Sequence, residues 1–417
     1  MTKKDLDTIR TPPTWSDIAD RRHVFEPDLI GLNRIQGELD FEGASFRERY
    51  EARPTRAIIR AEKEVELLSA WESDGGTMLR APWRAGKTEL VFGAIENNDL
   101  HDRFLFINSQ DAPYPALRFK SADEFRQMYG VREAVDHVVA LRQRLGEEIA
   151  RDGVAELLHS HIASGGSPFS FVSNERREHS LPPALVALDE IADYAYDLDQ
   201  LGYLASIADE SHIRLCLIVQ KAPSLEARYD VAFRDFKGVY LEPLTVGESA
   251  QIVRAKGGES GLDFSLHATI EIHRAAGGRP LEVGAIVEAC RQATERGRHG
   301  ATYSRADIDR LVAGDIVHLT TTALEPLITN HIRVYERGIT ESERALVDRL
   351  VGTAFGELVV EAIRSDVEKL QSYGLVGVSR GRVYLNGELF RDAIKKRMTD
   401  YRTHNYWQPD EYGNDYI

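Results

Sequence analysis

The sequence has very little cysteine, no long apolar run and no excess of positive charge. Only two cysteines occur among its 417 residues, Cys216 in an apolar segment and Cys290 in a predicted helix. Both are predicted to be buried thiols rather than a disulfide, which fits a reducing cytoplasm. No run of about 18 apolar residues is present, so neither a transmembrane helix nor a membrane partner is expected. Residues 1–10 are polar and carry both charge signs, unlike a signal peptide.

The charge balance argues against a protein that binds nucleic acid chiefly through its phosphates. The formal net charge is −15, whereas such proteins are usually basic. Any contact with duplex DNA would therefore require a local basic patch. His101, His159, His161 and His179 show no metal-ligand spacing shared with cysteine. They are predicted to be surface or loop residues, and no zinc site is expected.

Short apolar runs alternate with helical patterns in the first part of the chain, which predicts an α/β fold. The predicted strands are Thr77–Arg80, Phe104–Ile107, Leu185–Leu188, Leu215–Val219 and Val239–Leu241. Continuous apolar strands separated by helices indicate a parallel sheet that is covered on both faces. Helical patterns cover residues 62–71, 87–97 and 123–162. Residues 164–183 are rich in glycine, serine, proline and charge, and are predicted to form an exposed loop.

A phosphate-binding loop is predicted directly after the first of these strands. The segment reads Ala81-Pro82-Trp83-Arg84-Ala85-Gly86-Lys87-Thr88 and continues through Glu89 into a helix. In this context, backbone amides of the loop and of the helix N-terminus point at the β- and γ-phosphates of a nucleotide. The residues from Pro82 to Glu89 are therefore predicted to form an ATP site.

Individual roles within this loop follow from side-chain chemistry. Lys87 supplies a positive charge to the phosphate oxygens, and the Thr88 hydroxyl is predicted to ligate Mg²⁺. Gly86 allows the backbone to approach the phosphates closely. Ala81 occupies the position where the usual pattern has glycine, and alanine fits there if its φ stays negative. The alternative is a chance Gly-Lys-Thr at the start of a helix.

A second motif places two carboxylates at the end of a predicted strand. The apolar run Leu185–Leu188 leads directly into Asp189 and Glu190. Ligands of parallel α/β sheets bind at the carboxyl ends of strands. Asp189 is predicted to hold Mg²⁺ through its water shell, and Glu190 to orient and polarise the attacking water. The alternative is a buried strand followed by ordinary solvated acids.

These motifs together resemble the AAA+ and STAND branch of P-loop ATPases, and most closely its archaeal-ATPase type. The family's loop commonly reads Gly-Pro-Arg-Arg-x-Gly-Lys-Thr. Its upstream Gly-Arg-Glu-x-Glu box is matched by Arg60-Ala61-Glu62-Lys63-Glu64, in the acids only. The resemblance implies a parallel-sheet P-loop core over residues 56–245, after an N-terminal extension of residues 1–55.

The resemblance also implies residues that sense the γ-phosphate. Gln220 lies where the family has its first sensor, with a solvent-facing polar residue as the alternative. Gly277-Gly278-Arg279-Pro280 resembles the Gly-Gly-x-Pro segment of the family's lid domain, which makes Arg279 a candidate second sensor. The alternative for Arg279 is a surface arginine beside a helix start. Arg228 and Arg234 lie where relatives carry an arginine that reaches a neighbouring subunit, and Arg234 is the better candidate. The alternative there is a surface salt bridge with a neighbouring aspartate.

The rest of the chain is expected to contain a helical lid over residues 246–329, a winged helix over residues 330–400 and an aromatic, acidic tail over residues 401–417. Residues 246–320 show only helical patterns. In the winged helix, the patterns predict helices over Glu341–Leu350, Val359–Ile363 and Asp366–Tyr373, followed by a hairpin. Two acids on the third helix repel phosphate, so protein contact is favoured over DNA reading. The basic residues that could still form a patch are Arg380, Arg382, Lys395, Lys396 and Arg397.

The favoured function is a slow, Mg²⁺-dependent regulatory ATPase that converts ATP and water to ADP and phosphate. Its nucleotide state would set its conformation or assembly, and it would act on a protein partner that is encoded separately. Homo-oligomer formation is left open. The alternatives are a DNA-loading ATPase like the origin-recognition or transposition members of the superclass, and a scaffold that binds ATP without hydrolysing it.

Overall fold

The computed structural model describes most of the chain between residues 60 and 395. The described residues are 60–81, 85–108, 121–189, 198–220, 232–297, 299–312, 332, 335–336, 339–353, 357–358, 360–379 and 381–395. The predicted N-terminal extension over residues 1–55 and the tail over residues 401–417 lie outside them. The boundaries proposed for the domains therefore remain predictions.

A five-stranded parallel sheet forms the centre of the first part. Its strands are β1 (Thr77–Ala81), β2 (Phe104–Asn108), β3 (Ala184–Asp189), β4 (Ile213–Gln220) and β5 (Lys237–Tyr240). They are ordered β2–β3–β4–β1–β5, and every neighbouring pair is parallel. The apolar runs form strands because side chains of a sheet covered on both faces have no solvated side. The predicted α/β fold with a parallel sheet is confirmed.

Helices cover both faces of this sheet. They are α1 (Ala61–Trp71), α2 (Lys87–Asn97), α3 (Ala122–Met128), α4 (Val131–Arg144), α5 (Arg151–Ala163), α6 (Pro168–Glu178) and α7 (Leu198–Ser206). Successive strand residues point to opposite faces. Leu79 accordingly packs in the hydrophobic cluster with α1 and α2, and Met78 in the cluster with α3 to α7.

Helix α6 corrects the prediction that residues 164–183 form an exposed loop. Ser167 is its N-cap and accepts a hydrogen bond from the Ser170 amide at 3.1 Å, while Pro168 occupies the first helical position. Serine and proline therefore mark a helix start here and not a loop. Phe169 and Val172 then bury one face of the helix against the sheet.

The second part, called the lid below, is a group of four helices around their own hydrophobic cluster. Its elements are α8 (Val246–Glu259), β6 (Asp263–Phe264), α9 (Leu266–Ala276), α10 (Pro280–Glu295), β7 (Thr302–Tyr303) and α11 (Arg305–Arg310). The expectation of helix alone misses the short parallel bridge between β6 and β7. A two-residue strand is too short to produce a detectable period in sequence.

The third part, residues 341–395, is called the C-terminal module below. Its elements are α12 (Glu341–Val351), β8 (Glu357–Leu358), α13 (Glu361–Ser372), β9 (Val376–Ser379), β10 (Arg382–Leu385) and a last helix, α14, over residues 388–395. Strands β8, β10 and β9 form an antiparallel sheet, so the predicted hairpin is confirmed. A winged-helix identity remains a prediction.

Helix α13 corrects the prediction of two separate helices in this module. Ile363, Val367 and Leu370 recur at helical spacing and pack in one cluster, which keeps the segment continuous. Elsewhere, the prediction for the cysteines is confirmed, because Cys216 and Cys290 are both free and buried. Among the described residues, no helix combines the length and the apolar character needed to cross a bilayer.

Candidate functional site

The segment predicted to bind phosphate connects β1 to α2, at the carboxyl edge of the parallel sheet. Gly86 precedes α2 with φ 88° and accepts a hydrogen bond from the Leu90 amide at 3.0 Å. This left-handed conformation is one that glycine adopts without the steric cost of a β-carbon. Because the first amides of a helix have no intrahelical acceptor, the first turn of α2 presents donors and a positive dipole end to a ligand.

Ala81 explains how the loop begins without the glycine of the usual pattern. It is the last residue of β1 and pairs with Gln220 of β4. The described non-glycine residues with positive φ are Asp99 and Ser180, so Ala81 keeps the negative φ that alanine requires. Alanine is therefore compatible with the backbone conformation at the end of β1.

Lys87 and Glu89 lie in the first turn of α2 and are both half-buried. The Lys87 ammonium donates to the Ala81 carbonyl oxygen across 3.4 Å, so its side chain folds back over the loop. This position holds a positive charge beside the helix N-terminus, where a phosphate would need it. Pro82, Trp83 and Arg84 lie outside the described residues.

Thr88 and Asp189 meet at this edge of the sheet. The Thr88 hydroxyl donates to Oδ2 of Asp189 across 2.6 Å, and Asp189 is only 3% exposed at the end of β3. A hydroxyl and a carboxylate oxygen are ligands of the kind that Mg²⁺ takes, usually together with waters and substrate phosphates. Within the described residues, no group of three or more acidic, histidine or cysteine side chains could hold a metal by itself. The pair therefore fits a metal that shares its coordination sphere with a nucleotide.

Two further predicted residues are placed by their backbone alone. Gln220 ends β4, directly between the ends of β1 and β3, so its α-carbon lies at the same edge as Thr88 and Asp189. Its side chain is not described. Glu190 follows Asp189 in the chain and lies outside the described residues, as does Arg228. Their assigned roles remain predictions.

Arg234 is exposed and lies at the opposite edge of the sheet. It precedes β5, whose first residue, Lys237, pairs with Thr77 at the amino end of β1. The intervening length of β1 separates Arg234 from the phosphate loop of its own chain, since a strand rises about 3.3 Å per residue. Any contact of Arg234 with a nucleotide would have to be with that of a neighbouring subunit.

Arg279 is not the surface arginine that was the alternative for it. It is 7% exposed, and its Nη1 donates to both carboxylate oxygens of Glu282 at 2.8 Å. Its Nη2 donates to the carbonyl oxygen of Asn386 in the C-terminal module at 2.7 Å. The guanidinium is therefore bound to the lid and the module, and a role in sensing phosphate remains a prediction.

The upstream acidic box lies at the junction of the core with the lid. Arg60 donates to Oε1 of Glu248 in α8 at 3.0 Å and to the carbonyl oxygen of Glu242 at 3.0 Å. Lys63 pairs with the Glu242 carboxylate at 3.0 Å. Glu64 is buried and accepts from the Asn97 side chain at 2.6 Å, which ties α1 to the end of α2. The box thus connects three elements around the loop.

Two residues lie beside the site for which the sequence predicted no role there. Asn108 ends β2, is 6% exposed and pairs with Asp189 in the sheet register. Like Gln220, it is a polar residue at the end of an apolar strand, a signal that could have identified it. Pro280, the first residue of α10, lies close to Gly86, because a β-carbon added to that glycine would be 3.8 Å from the proline ring. Nothing in the local sequence indicates that proximity.

Comparisons with known proteins place the chain near solved ATPase structures at low identity. No protein-family model and no curated protein matches it. It is similar to the Walker-type ATPase paby2304 of Pyrococcus abyssi, at 13% identity and a TM-score of 0.49, over 81% of this chain and 96% of that one. It is also similar to the Thermotoga maritima RuvB Holliday junction branch migration motor (14%, TM-score 0.37, 84% and 96%). A third is Cdc6p of Pyrobaculum aerophilum (15%, TM-score 0.35, 82% and 96%).

Proposed function

We propose that this chain binds ATP with Mg²⁺ and hydrolyses it slowly to ADP and phosphate, as a regulatory switch that acts on a separately encoded protein partner. The observation that carries the proposal is the 2.6 Å contact between Thr88 and Asp189, directly beside a helix N-terminus that follows a left-handed glycine. A positive helix end and adjoining oxygen ligands are the requirements of a magnesium–triphosphate site.

Each side chain at this edge would have a separate task. Lys87 and the amides of α2 would neutralise phosphate charge, and Thr88 with Asp189 would hold Mg²⁺, which supplies further charge stabilisation to the phosphates. Glu190 would orient and polarise the attacking water. Gln220 and Asn108, at the ends of the strands flanking β3, are candidates to position the groups around that water.

A switch needs a second element whose position depends on the nucleotide, and the lid is that element in the proposal. Pro280 lies close to Gly86, and the Arg60–Glu248 ion pair joins the start of α1 to α8. A ligand shifts such an equilibrium only through contacts that differ between the two states. Binding of the phosphates at Gly86 would change the surface on which Pro280 rests, and so the position of the lid.

A role in DNA loading receives less support than the switch. On α13, the exposed Arg364 and Glu368 form an ion pair at 3.3 Å, which neutralises the cation that could meet a phosphate. Together with a net charge of −15, this pairing leaves protein contact as the favoured use of the C-terminal module. Salt-dependent binding of the purified chain to duplex DNA would contradict this preference.

Two measurements on the unmodified protein test the proposed function. Titration with a fluorescent ATP analogue should show binding that weakens when EDTA removes Mg²⁺. Phosphate release should then continue beyond one equivalent per chain, which a non-hydrolytic scaffold could not do. Binding without multiple turnover would favour the scaffold, and absence of nucleotide binding would contradict the whole proposal.

The partner can be sought with a variant that holds ATP. Glu190→Gln protein should retain the nucleotide and stabilise the ATP-bound conformation. A partner recovered with this variant in ATP, and lost in ADP, would support the switch. Equal recovery in both nucleotides would contradict control by the nucleotide state.

A further inference from the structure

The lid contacts the C-terminal module through backbone that allows no side chain between them. Gly277 ends α9 with φ 62°, and a β-carbon there would lie 2.6 Å from the carbonyl carbon and oxygen of Asn386. From the other side, a β-carbon on Gly387 would lie 3.0 Å from the Ala275 carbonyl oxygen. Two glycines thus let the end of α9 and the chain after β10 touch directly.

Arg279 joins the two parts beside this contact. Its Nη1 donates to the Glu282 carboxylate in α10, and its Nη2 donates to the Asn386 carbonyl oxygen in the module. The same Nη2 lies 3.4 Å from the carbonyl oxygen of Gly374. The Phe390 ring lies 5.8 Å from the guanidinium carbon. A buried arginine that is charge-paired within the lid and bonded to carbonyls of the module resists their separation, because separation would break its charge-assisted hydrogen bonds to the module.

The hydrophobic cores of the two parts also adjoin along a single turn of helix. In α14, Leu389 packs in the cluster of the lid and the next residue, Phe390, in the cluster of the module. Arg274 of α9 adds an ion pair with Glu388 at 2.9 Å. Any rotation of the module relative to the lid would therefore pull Leu389 out of the lid or Phe390 out of the module, and either movement would expose buried apolar surface.

The junction of the lid with the core differs from the junction of the lid with the C-terminal module, because a short linker and side-chain contacts form it. Leu241 packs in a cluster of the core and Leu244 in that of the lid, so only Glu242 and Pro243 lie between them. Among the described residues, the side-chain hydrogen bonds across this junction come from Arg60 and Lys63 of the core. The Lys63–Glu242 contact is exposed and exchanges with water at small cost. The Arg60–Glu248 ion pair is part-buried, but its partner Glu248 lies in the first turn of α8, next to the linker.

We infer that the lid and the C-terminal module move as one rigid body, that Arg279 is the positioning residue that couples them, and that the linker Leu241–Thr245 is the hinge. The approach of Pro280 to Gly86 is then the point at which the phosphate loop would act on this body. Arg279 has a mechanical role in this assignment, in place of a contact with the γ-phosphate. The nucleotide dependence of the motion rests on the proposed function, whereas the coupling itself does not.

A matched pair of glycine variants tests the coupling without nucleotide. Gly277 and Gly297 both have positive φ, 62° and 66°, but a β-carbon on Gly297 meets nothing within 4 Å. Gly277→Ala and Gly297→Ala therefore share the backbone strain, and only the former forces the module off the lid. Arg279→Lys adds a milder change, because one ammonium cannot bond to Glu282 and Asn386 in the geometry of the fork.

Distances between spin labels report the outcome. Cysteines introduced at Arg296 in the lid, Glu368 in the module and Met128 in the core provide exposed attachment points. The native thiols do not compete, because burial raises the pKa of Cys290 to about 12 and that of Cys216 further. The 296–368 distance should be narrow in the unmodified chain and in Gly297→Ala, and broadened or shifted in Gly277→Ala and Arg279→Lys. An unchanged 296–368 distance in both of the latter, with each still folded by circular dichroism, overturns the coupling.

Nucleotide then tests the hinge. Between ADP and ATP in the Glu190→Gln background, the 296–368 distance should stay constant within about 2 Å while the 128–296 and 128–368 distances shift together. A shift of 296–368 alone, or no shift of either core distance in protein with nucleotide bound, overturns the hinge. Nucleotide occupancy is measured separately by titration, so failure to bind ATP would count against the proposed function and leave the glycine test intact.

Discussion

The Thr88 hydroxyl donates a hydrogen bond to Asp189 across 2.6 Å, although 101 positions separate the two residues in the chain. Their contact is possible because β1 and β3 end at the same edge of a parallel sheet, with β4 between them. In the proposed site, the pair would provide oxygen ligands at a helix N-terminus, and several of the predictions below depend on that arrangement.

Replacement of Lys87 by alanine should lower ATP affinity by about 10- to 100-fold, the effect of losing a charged hydrogen bond to phosphate. The fold should persist, because Lys87 is half-buried and its hydrogen bond to the Ala81 carbonyl oxygen is a long one, at 3.4 Å. Lys395→Ala, which removes an exposed lysine of the C-terminal module, is the control. Unchanged affinity in Lys87→Ala, measured by calorimetry, would show that the loop is not a phosphate site.

Replacement of Thr88 by valine should abolish the Mg²⁺ dependence of ATP binding and most of the turnover. Valine keeps the shape but removes the hydroxyl, and leaves the buried Asp189 without its 2.6 Å donor. Thr88→Ser retains a hydroxyl and should restore both properties. The binding of Mn²⁺ as a spectroscopic substitute, followed by electron paramagnetic resonance in the presence of ATP, distinguishes a metal ligand from a residue needed only for packing.

Replacement of Glu190 by glutamine should leave ATP binding near its original level and slow hydrolysis by about 100-fold, as expected for loss of a general base. The amide has the same size but cannot polarise water as the carboxylate does. Steady-state phosphate release gives the hydrolysis rate, and a titration of the same preparation gives the ATP affinity. Turnover that stays within about twofold of the unmodified protein would remove Glu190 from its proposed role.

We expect Arg234 to act on the nucleotide of a neighbouring subunit, because it lies at the opposite edge of the sheet from the predicted phosphate loop of its own chain. Arg234→Ala protein should then be slow alone, and should recover activity when mixed with inactive Lys87→Ala protein that still carries Arg234. Specific activity of the unmodified protein should also rise with its concentration. Flat activity and no recovery on mixing would leave Arg234 as a surface residue.

His273 predicts a specific loss of stability in acid. Burial lowers its pKa to about 4, and its Nδ1 lies 2.8 Å from the Ser249 hydroxyl, with the Glu248 carboxylate as the charged neighbour that opposes the shift. In the unfolded chain this imidazole takes up a proton near pH 6.5. The free energy of unfolding is therefore unaffected by the protonation of His273 above that pH and decreases as pH falls toward 4. The decrease should reach about 3 kcal/mol.

Chemical denaturation of His273→Gln at several pH values tests this assignment. The variant should show a weaker pH dependence than the unmodified protein between pH 6.5 and 4, because the group that takes up the proton has been removed. His267→Gln removes an exposed histidine of the same helix and should leave the slope unchanged. Equal slopes in all three proteins would show that His273 is not the group responsible.

The strands and the helix start that flank the proposed phosphate loop were predictable because the pattern that specifies them is local. A glycine before Lys87 and Thr88, between an apolar run and a helical pattern, predicts the end of a strand and the start of a helix. Asp189 follows an apolar run, which predicts in the same way that it ends a strand. Neighbouring positions along the chain are neighbours in space within one strand or one turn, so pattern is sufficient there. The helix over Pro168–Glu178 was missed because the proline and serine of its cap also occur in loops.

Arg279 shows where local pattern ends. Beside a helix start it could be exposed, bound to phosphate or buried, and its sequence neighbours are the same in every case. Its burial depends on the carbonyl groups of Gly374 and Asn386, 95 and 107 positions later, and Asn108 lies beside Asp189 only because of the strand order. Contacts between residues so far apart in the sequence depend on how whole elements pack. A buried guanidinium is stable only where the tertiary structure places hydrogen-bond acceptors around it.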